Sequence, residues 1–128
     1  MASHPHVRRL KAAGLPPPPS KTIRALIDTG ASSCALDFGI ISALGLIPTG
    51  KTHVHTPSTG AAYEERELYD ASLFLYPPGD TQAVAYFTVP VIGAHLASEG
   101  FLALIGWDVL LKCVLLCDGP RRTFRLDF

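Results

Sequence analysis

The chain has 128 residues, 48% of them apolar and 17% charged, and its 11 basic side chains are balanced by 11 acidic ones. That length suits one domain with a real core, and the zero net charge argues against nucleic acid as the main ligand. No secretory apolar stretch follows Met1, and the longest apolar run is broken by Asp108 and Lys112. A soluble, cytoplasmic protein with no membrane partner is therefore expected.

In chain order, residues 1–21 read as a proline-rich leader or loop. Pro16 to Pro19 impose an extended polyproline segment and end any helix begun at Val7 to Ala13. Residues 22–128 form the domain. TIRALI (Thr22 to Ile27) reads as a strand closed by a turn at Asp28-Thr29-Gly30, and Ser33 to Leu36 as a second short strand. Asp37 is placed to cap a helix FGIISAL, with Gly45 as its left-handed terminator. Lys51 to Thr56 and the segment from Ala61 onward bracket the turn Pro57-Ser58-Thr59-Gly60, which predicts a hairpin.

YDASLFLY (Tyr69 to Tyr76) alternates cleanly and stops at Pro77-Pro78-Gly79-Asp80, with AVAYFTV (Ala83 to Val89) as its antiparallel neighbour. An irregular stretch through Gly93 and Gly100 leads to the apolar LALIG (Leu102 to Gly106) and a helical turn or two, Trp107 to Cys113. VLLC, the turn DGPRR and TFRLDF close the chain as a hairpin. The sum is an all-β fold, mainly strand with two short helices, expected to form a partly closed barrel.

Chemistry concentrates at ALIDTGAS (Ala25 to Ser32). An ionised carboxyl next to Leu26 and Ile27 needs hydrogen-bond partners or a task, and either a plain turn or a reactive acid satisfies the pattern. The tripeptide alone is common. Here an apolar strand precedes it, the small pair Ala31-Ser32 follows it, and far downstream ALIGWDVL (Ala103 to Leu110) runs an apolar-apolar-glycine element into a helix.

With these two motifs in this order and a hairpin between them, the chain resembles the retropepsin-like aspartic proteases, half-size homodimeric relatives of pepsin. The resemblance spans Thr22 to Phe128. It implies that Asp28 from each of two chains meets on a two-fold axis and that the pair shares a proton. The ionised Asp28 would activate a water while its protonated twin hydrogen-bonds the scissile carbonyl, with no covalent intermediate. Thr29 would bond to the opposite loop, and Gly30 would bring backbone close to the acids. Ala31, Ser32, Leu104, Ile105 and Gly106 would wall the site, and the hairpin tip Pro57, Ser58, Thr59 and Gly60 would serve as a flap over an extended peptide. An ordinary surface hairpin is the alternative reading of that tip.

Two departures stand out. Retroviral members often pair an acid just after Asp-Thr-Gly-Ala with an arginine just after the second glycine, whereas this chain has Ser32 and Trp107 there. The family also usually places a strand ahead of the catalytic one, where this chain has HPHVRRLKAAGLPPPP.

The remaining candidates read more plainly. His53 and His55 share a strand face but lack a third ligand at metal-binding spacing, and His95 reads as a loop residue. Cys34, Cys113 and Cys117 are odd in number with no CxxC, which reads as buried free thiols in a reducing compartment. Cys34 lacks a base that would make it a nucleophile. Trp107 reads as a packing residue, and Asp108 as a helix-favouring acid, with a hydrogen-bonding group at the helix start as the alternative. The expected function is a homodimeric aspartic endopeptidase needing no metal or organic cofactor; the alternative is an inactive dimerisation or peptide-binding module of the same fold.

Overall fold

The computed structural model describes residues 20–54, 63–76, 82 and 85–128. The segments 1–19 and 55–62 lie outside the described residues, so the proline run, His55 and the hairpin tip at Pro57 to Gly60 receive no structural account.

Among the described residues the fold is mainly β with two short α-helices. Strand β1 (Ala25–Ile27) leads into the acidic turn, β2 (Ala35–Asp37) follows it, and helix α1 (Phe38–Leu44) starts directly on β2. β3 (Pro48–Val54), β4 (Glu64–Leu75) and β5 (Ala85–Ala94) are the long antiparallel strands. After a 3-10 turn at Ala97–Glu99 come β6 (Ala103–Ile105), α2 (Trp107–Leu110), β7 (Val114–Asp118) and β8 (Thr123–Asp127).

Six strands form one mixed sheet in the order β1-β6-β2-β5-β4-β3, and β7 with β8 forms a separate antiparallel pair. Among the described residues β1 and β3 are the two edges of the large sheet, so the strands do not close into a barrel. Here the expected partly closed barrel gives way to an open sheet. β1 runs parallel to β6, with Leu26 opposite Leu104 and Ile27 opposite Ile105, while β2 is antiparallel to β6 and parallel to β5. β6 thus stitches the first part of the chain to its end.

Alternation decides the core. On β4, Tyr69 and Ala71 point inward, and on β5 Val89 and Val91 do. They pack with Leu36 and Ile41, with Ala103 and Ile105 of β6, and with Val109 and Leu110 of α2. The predicted strand at Tyr69 to Tyr76 and the one expected from Ala61 are a single strand, because no residue between Glu64 and Leu75 breaks the ladder. β5 likewise runs on through Gly93 to Ala94, where an irregular stretch was expected. Pairing with β2, Leu36 opposite Gly93 and Asp37 opposite Ala94, holds it extended there.

Two smaller corrections concern burial. β1 is an edge strand whose Leu26 is 45% exposed, so its apolar composition does not make it core. Of the cysteines only Cys34 is buried; Cys113 is half-buried and Cys117, on the β7–β8 pair, is exposed. No helix among the described residues is long and apolar enough to cross a membrane.

Asp37 is the buried acid among the described residues. It caps α1 as the sequence predicts, accepting from the Gly39 amide at 2.9 Å, and Gly45 ends the helix in the left-handed conformation. The same carboxylate also accepts from the Leu96 amide at 2.8 Å and the Ala97 amide at 3.0 Å, tying β2 to the segment after β5. The bond from Leu96, with those from Gly39 and Ala97, holds its carboxyl below the usual carboxylate range.

A group with a lowered folded value stabilises the fold above its unfolded value and ceases to do so as pH falls through the folded one. We therefore expect the urea midpoint to drop on acidification below about pH 4. Asp37→Asn should have a lower midpoint at neutral pH and a flatter profile in that acid window. Equal slopes for the two proteins would remove Asp37 from the account.

Candidate active site

Asp28 leaves the end of β1 and enters a tight turn. Its amide donates to the Ile105 carbonyl at 3.0 Å, which extends the β1–β6 ladder by one bond and fixes where the turn begins. The Ala31 amide donates to the Asp28 carbonyl at 3.2 Å, so Thr29 and Gly30 are the central residues of a four-residue turn. The Gly30 amide donates to Asp28 Oδ1 at 2.8 Å. Asp28 is half-buried, whereas Thr29 and Gly30 are exposed. In the single chain Asp28 therefore remains partly open to water.

The second motif lies directly against this turn. A Cβ on Gly106 would sit 2.6 Å from the Ser33 carbonyl oxygen and 2.7 Å from that of Ala31, distances no side chain tolerates. Only glycine lets the strand β6 pass under the loop at this separation. The next residue completes the seam: the Trp107 amide donates to the Ala31 carbonyl at 2.9 Å, and its indole Nε1 donates to the Thr29 carbonyl at 2.7 Å. Trp107, read from sequence as packing, is a hydrogen-bond donor to the acidic turn.

Asp108 is also more than a helix-favouring acid. Its Oδ2 accepts from the Cys34 amide and its Oδ1 from the Cys34 Sγ, both at 2.9 Å, and Oδ1 also takes the Val109 amide at 2.9 Å. The thiol sulfur in turn accepts from the Gly106 amide at 3.4 Å. Burial first, and then the Asp108 carboxylate, push the Cys34 thiol up to about 12. That thiol stays protonated and is a structural donor, consistent with the sequence reading that it is no nucleophile.

Of the sequence candidates, the structure brings together Asp28, Thr29, Gly30, Ala31, Leu104, Ile105 and Gly106. Ile105 is 4% exposed and belongs to the core, while Leu104 is half-buried between β1 and β2. Ser32 is exposed beside the turn. Pro57, Ser58, Thr59 and Gly60 lie outside the described residues; the stem that carries them is the β3–β4 hairpin, braced by a Lys51–Glu65 ion pair at 2.9 Å. His53 faces Glu65 across that stem and lies edge-on to the Tyr63 ring at 6.4 Å. Among the described residues no three His, Cys, Asp or Glu side chains gather as a metal site.

The partners of Trp107, Asp108 and Cys34 escaped sequence reading because the bonds that join them to distant segments span 72 to 78 residues. The one local signal was that a tryptophan and an acid follow Gly106 immediately. Comparison with known protein families, curated proteins and solved structures finds no match.

Two outcomes follow from this geometry. Gly106→Ala should lower unfolding stability by about 1–3 kcal/mol, because backbone carbonyls rather than a flexible side chain must move; a urea titration reads it, and an unchanged midpoint would mean the seam is loose. A maleimide at about pH 8 should label Cys117 in the native protein and reach Cys34 only after denaturation. Rapid native labelling of Cys34 would contradict its bonding to Asp108.

Proposed function

We propose that the protein is a homodimeric aspartic endopeptidase in which Asp28 of each chain supplies half of the catalytic pair, on a fold of retropepsin type. The observation that carries the reading is the seating of the Asp-Thr-Gly turn on the Leu-Ile-Gly element. Two segments distant in sequence meet so that a half-open carboxyl is held by backbone bonds rather than buried in an ion pair.

The sequence contains one Asp-Thr-Gly, so in this proposal the second acid of the pair comes from another copy of the chain. The exposed position of Thr29 and Gly30 leaves that end of the turn accessible to a second copy. Apolar side chains on the terminal hairpin, among them Val114, Leu116 and Phe124, are also exposed and offer surface for association.

In the proposed reaction two facing carboxyls share one proton, since like charges at hydrogen-bond distance do not both ionise cheaply. The ionised one draws a proton from a water lying between them. The water oxygen attacks the peptide carbonyl, whose oxygen takes the proton of the protonated partner, giving a tetrahedral diol. Collapse of the diol breaks the C–N bond, and the amine leaves with a proton from the pair. An extended peptide substrate would lie along the turn, with the β3–β4 hairpin as its cover.

A second reading, a peptide-binding or dimerisation module without catalysis, draws support from the edge position of β1, which is only three residues long. One experiment separates the two. The protein is incubated with a digest of denatured proteins over a range of concentrations, alongside Asp28→Asn. Proteolysis should fall at least about a thousandfold in Asp28→Asn, and activity per chain should decline on dilution as dimers separate. Excess Asp28→Asn mixed into the parent should also suppress it. Activity that survives the substitution, or that is unchanged at every dilution, defeats the proposal, while binding of peptides without cleavage favours the second reading.

A further inference from the structure

We propose that Trp107 is a positioning residue that locks the peptide group between Thr29 and Gly30 against a flip, and so keeps the Gly30 amide on the Asp28 carboxylate. The two ends of one peptide group carry the inference. Its oxygen, on Thr29, accepts the Trp107 indole proton at 2.7 Å, and its nitrogen, on Gly30, donates to Asp28 Oδ1 at 2.8 Å. The C=O and N–H of a trans peptide point in opposite directions, so anchoring the oxygen aims the N–H.

The anchor is needed because of what Gly30 permits. Turning over the central peptide of a four-residue turn interconverts types I and II, and type II requires a positive φ at the third position. Glycine enters that region without steric cost. Gly30 nevertheless stays out of it; Gly45 and Gly100 are the positive-φ glycines among the described residues. A flipped peptide would point its oxygen away from the indole and its N–H away from Asp28, so both bonds are lost together.

The indole is itself held. Trp107 opens α2, and its own amide is fixed to the Ala31 carbonyl at 2.9 Å. The ring remains 43% exposed, so its hydrogen bond, rather than deep burial, accounts for its position at the turn. The catalytic consequence rests on the proposed role of Asp28: a carboxyl whose orienting donor swings away spends less time in the geometry that activates water.

Trp107→Phe keeps the aromatic ring and removes the N–H. Its effect is read first by amide hydrogen exchange in the unliganded protein. Protection of the Gly30 amide should fall about tenfold, the factor matching one neutral hydrogen bond of ordinary net strength. Protection at Val109 and Leu110, whose amides bond to the Gly106 carbonyl, should be unchanged. On a peptide substrate kcat should fall by a similar factor with KM within about twofold, and Trp107→Arg, whose longer arm restores a donor, should recover part of both.

Unchanged Gly30 protection, or an equal loss at Val109 and Leu110, overturns the lock in favour of plain packing. Should the parent cleave nothing, the reading of Asp28 fails, while Gly30 exchange still decides the lock. Should Trp107→Phe not fold, the parent's indole proton decides instead. Trp107 is the single tryptophan, so its indole proton gives one resonance, which should exchange slowly. Exchange at the rate of free indole would overturn the lock.

Discussion

The site depends on one close approach, the passage of Gly106 beneath the carbonyls of Ala31 and Ser33. At that separation a main chain with no Cβ is the only one that fits, and everything nearby is registered from it. The Asp28 amide reaches the Ile105 carbonyl just before the glycine, and Trp107 and Asp108 reach the loop just after it. Because β6 is hydrogen-bonded to both β1 and β2, the turn between those two strands is clamped on both flanks and from below. A rigid turn is the precondition for any chemistry that requires a carboxyl in one orientation.

Asp28, Asp37 and Asp108 each stand beside apolar segments, and their surroundings set them apart. Asp37 takes three backbone amides and joins β2 to the residues after β5. Asp108 takes the Cys34 amide and thiol and its own neighbour's amide. Both have their oxygens engaged by groups of the fold, so they act as structural joints. Asp28 receives the Gly30 amide on one oxygen and remains half-open. Asp28 therefore differs from Asp37 and Asp108 in how far the fold saturates its carboxylate.

The bond from Trp107 to the turn also has a physical consequence. An ion pair across this seam would link two side chains, whereas the indole bonds to main chain at the turn itself. The link survives without charge, so it carries no ionic-strength or pH dependence of its own. The terminal hairpin has a looser tie to the rest. Leu126 packs against the core and Phe128 lies 5.8 Å from the Phe87 ring, while Val114, Leu116 and Phe124 stay exposed.

How much was legible followed from the range of the forces involved. Helix α1 was readable to the residue, because its cap at Asp37 and its terminator at Gly45 act over a few positions. The terminal hairpin, the β4–β5 pairing and the acidic turn were readable for the same reason, since alternation and turn residues are local signals. The sequence by itself determined a mainly β chain with a carboxyl at a strand-ending turn and a glycine awaiting a close neighbour. Only the tertiary structure decided that the sheet stays open, that Leu26 lies on an edge, and that Cys34, Trp107 and Asp108 converge on the turn. Those outcomes turn on which strands become neighbours, and strand neighbours are chosen by contacts between residues too far apart in the chain to leave a pattern within it.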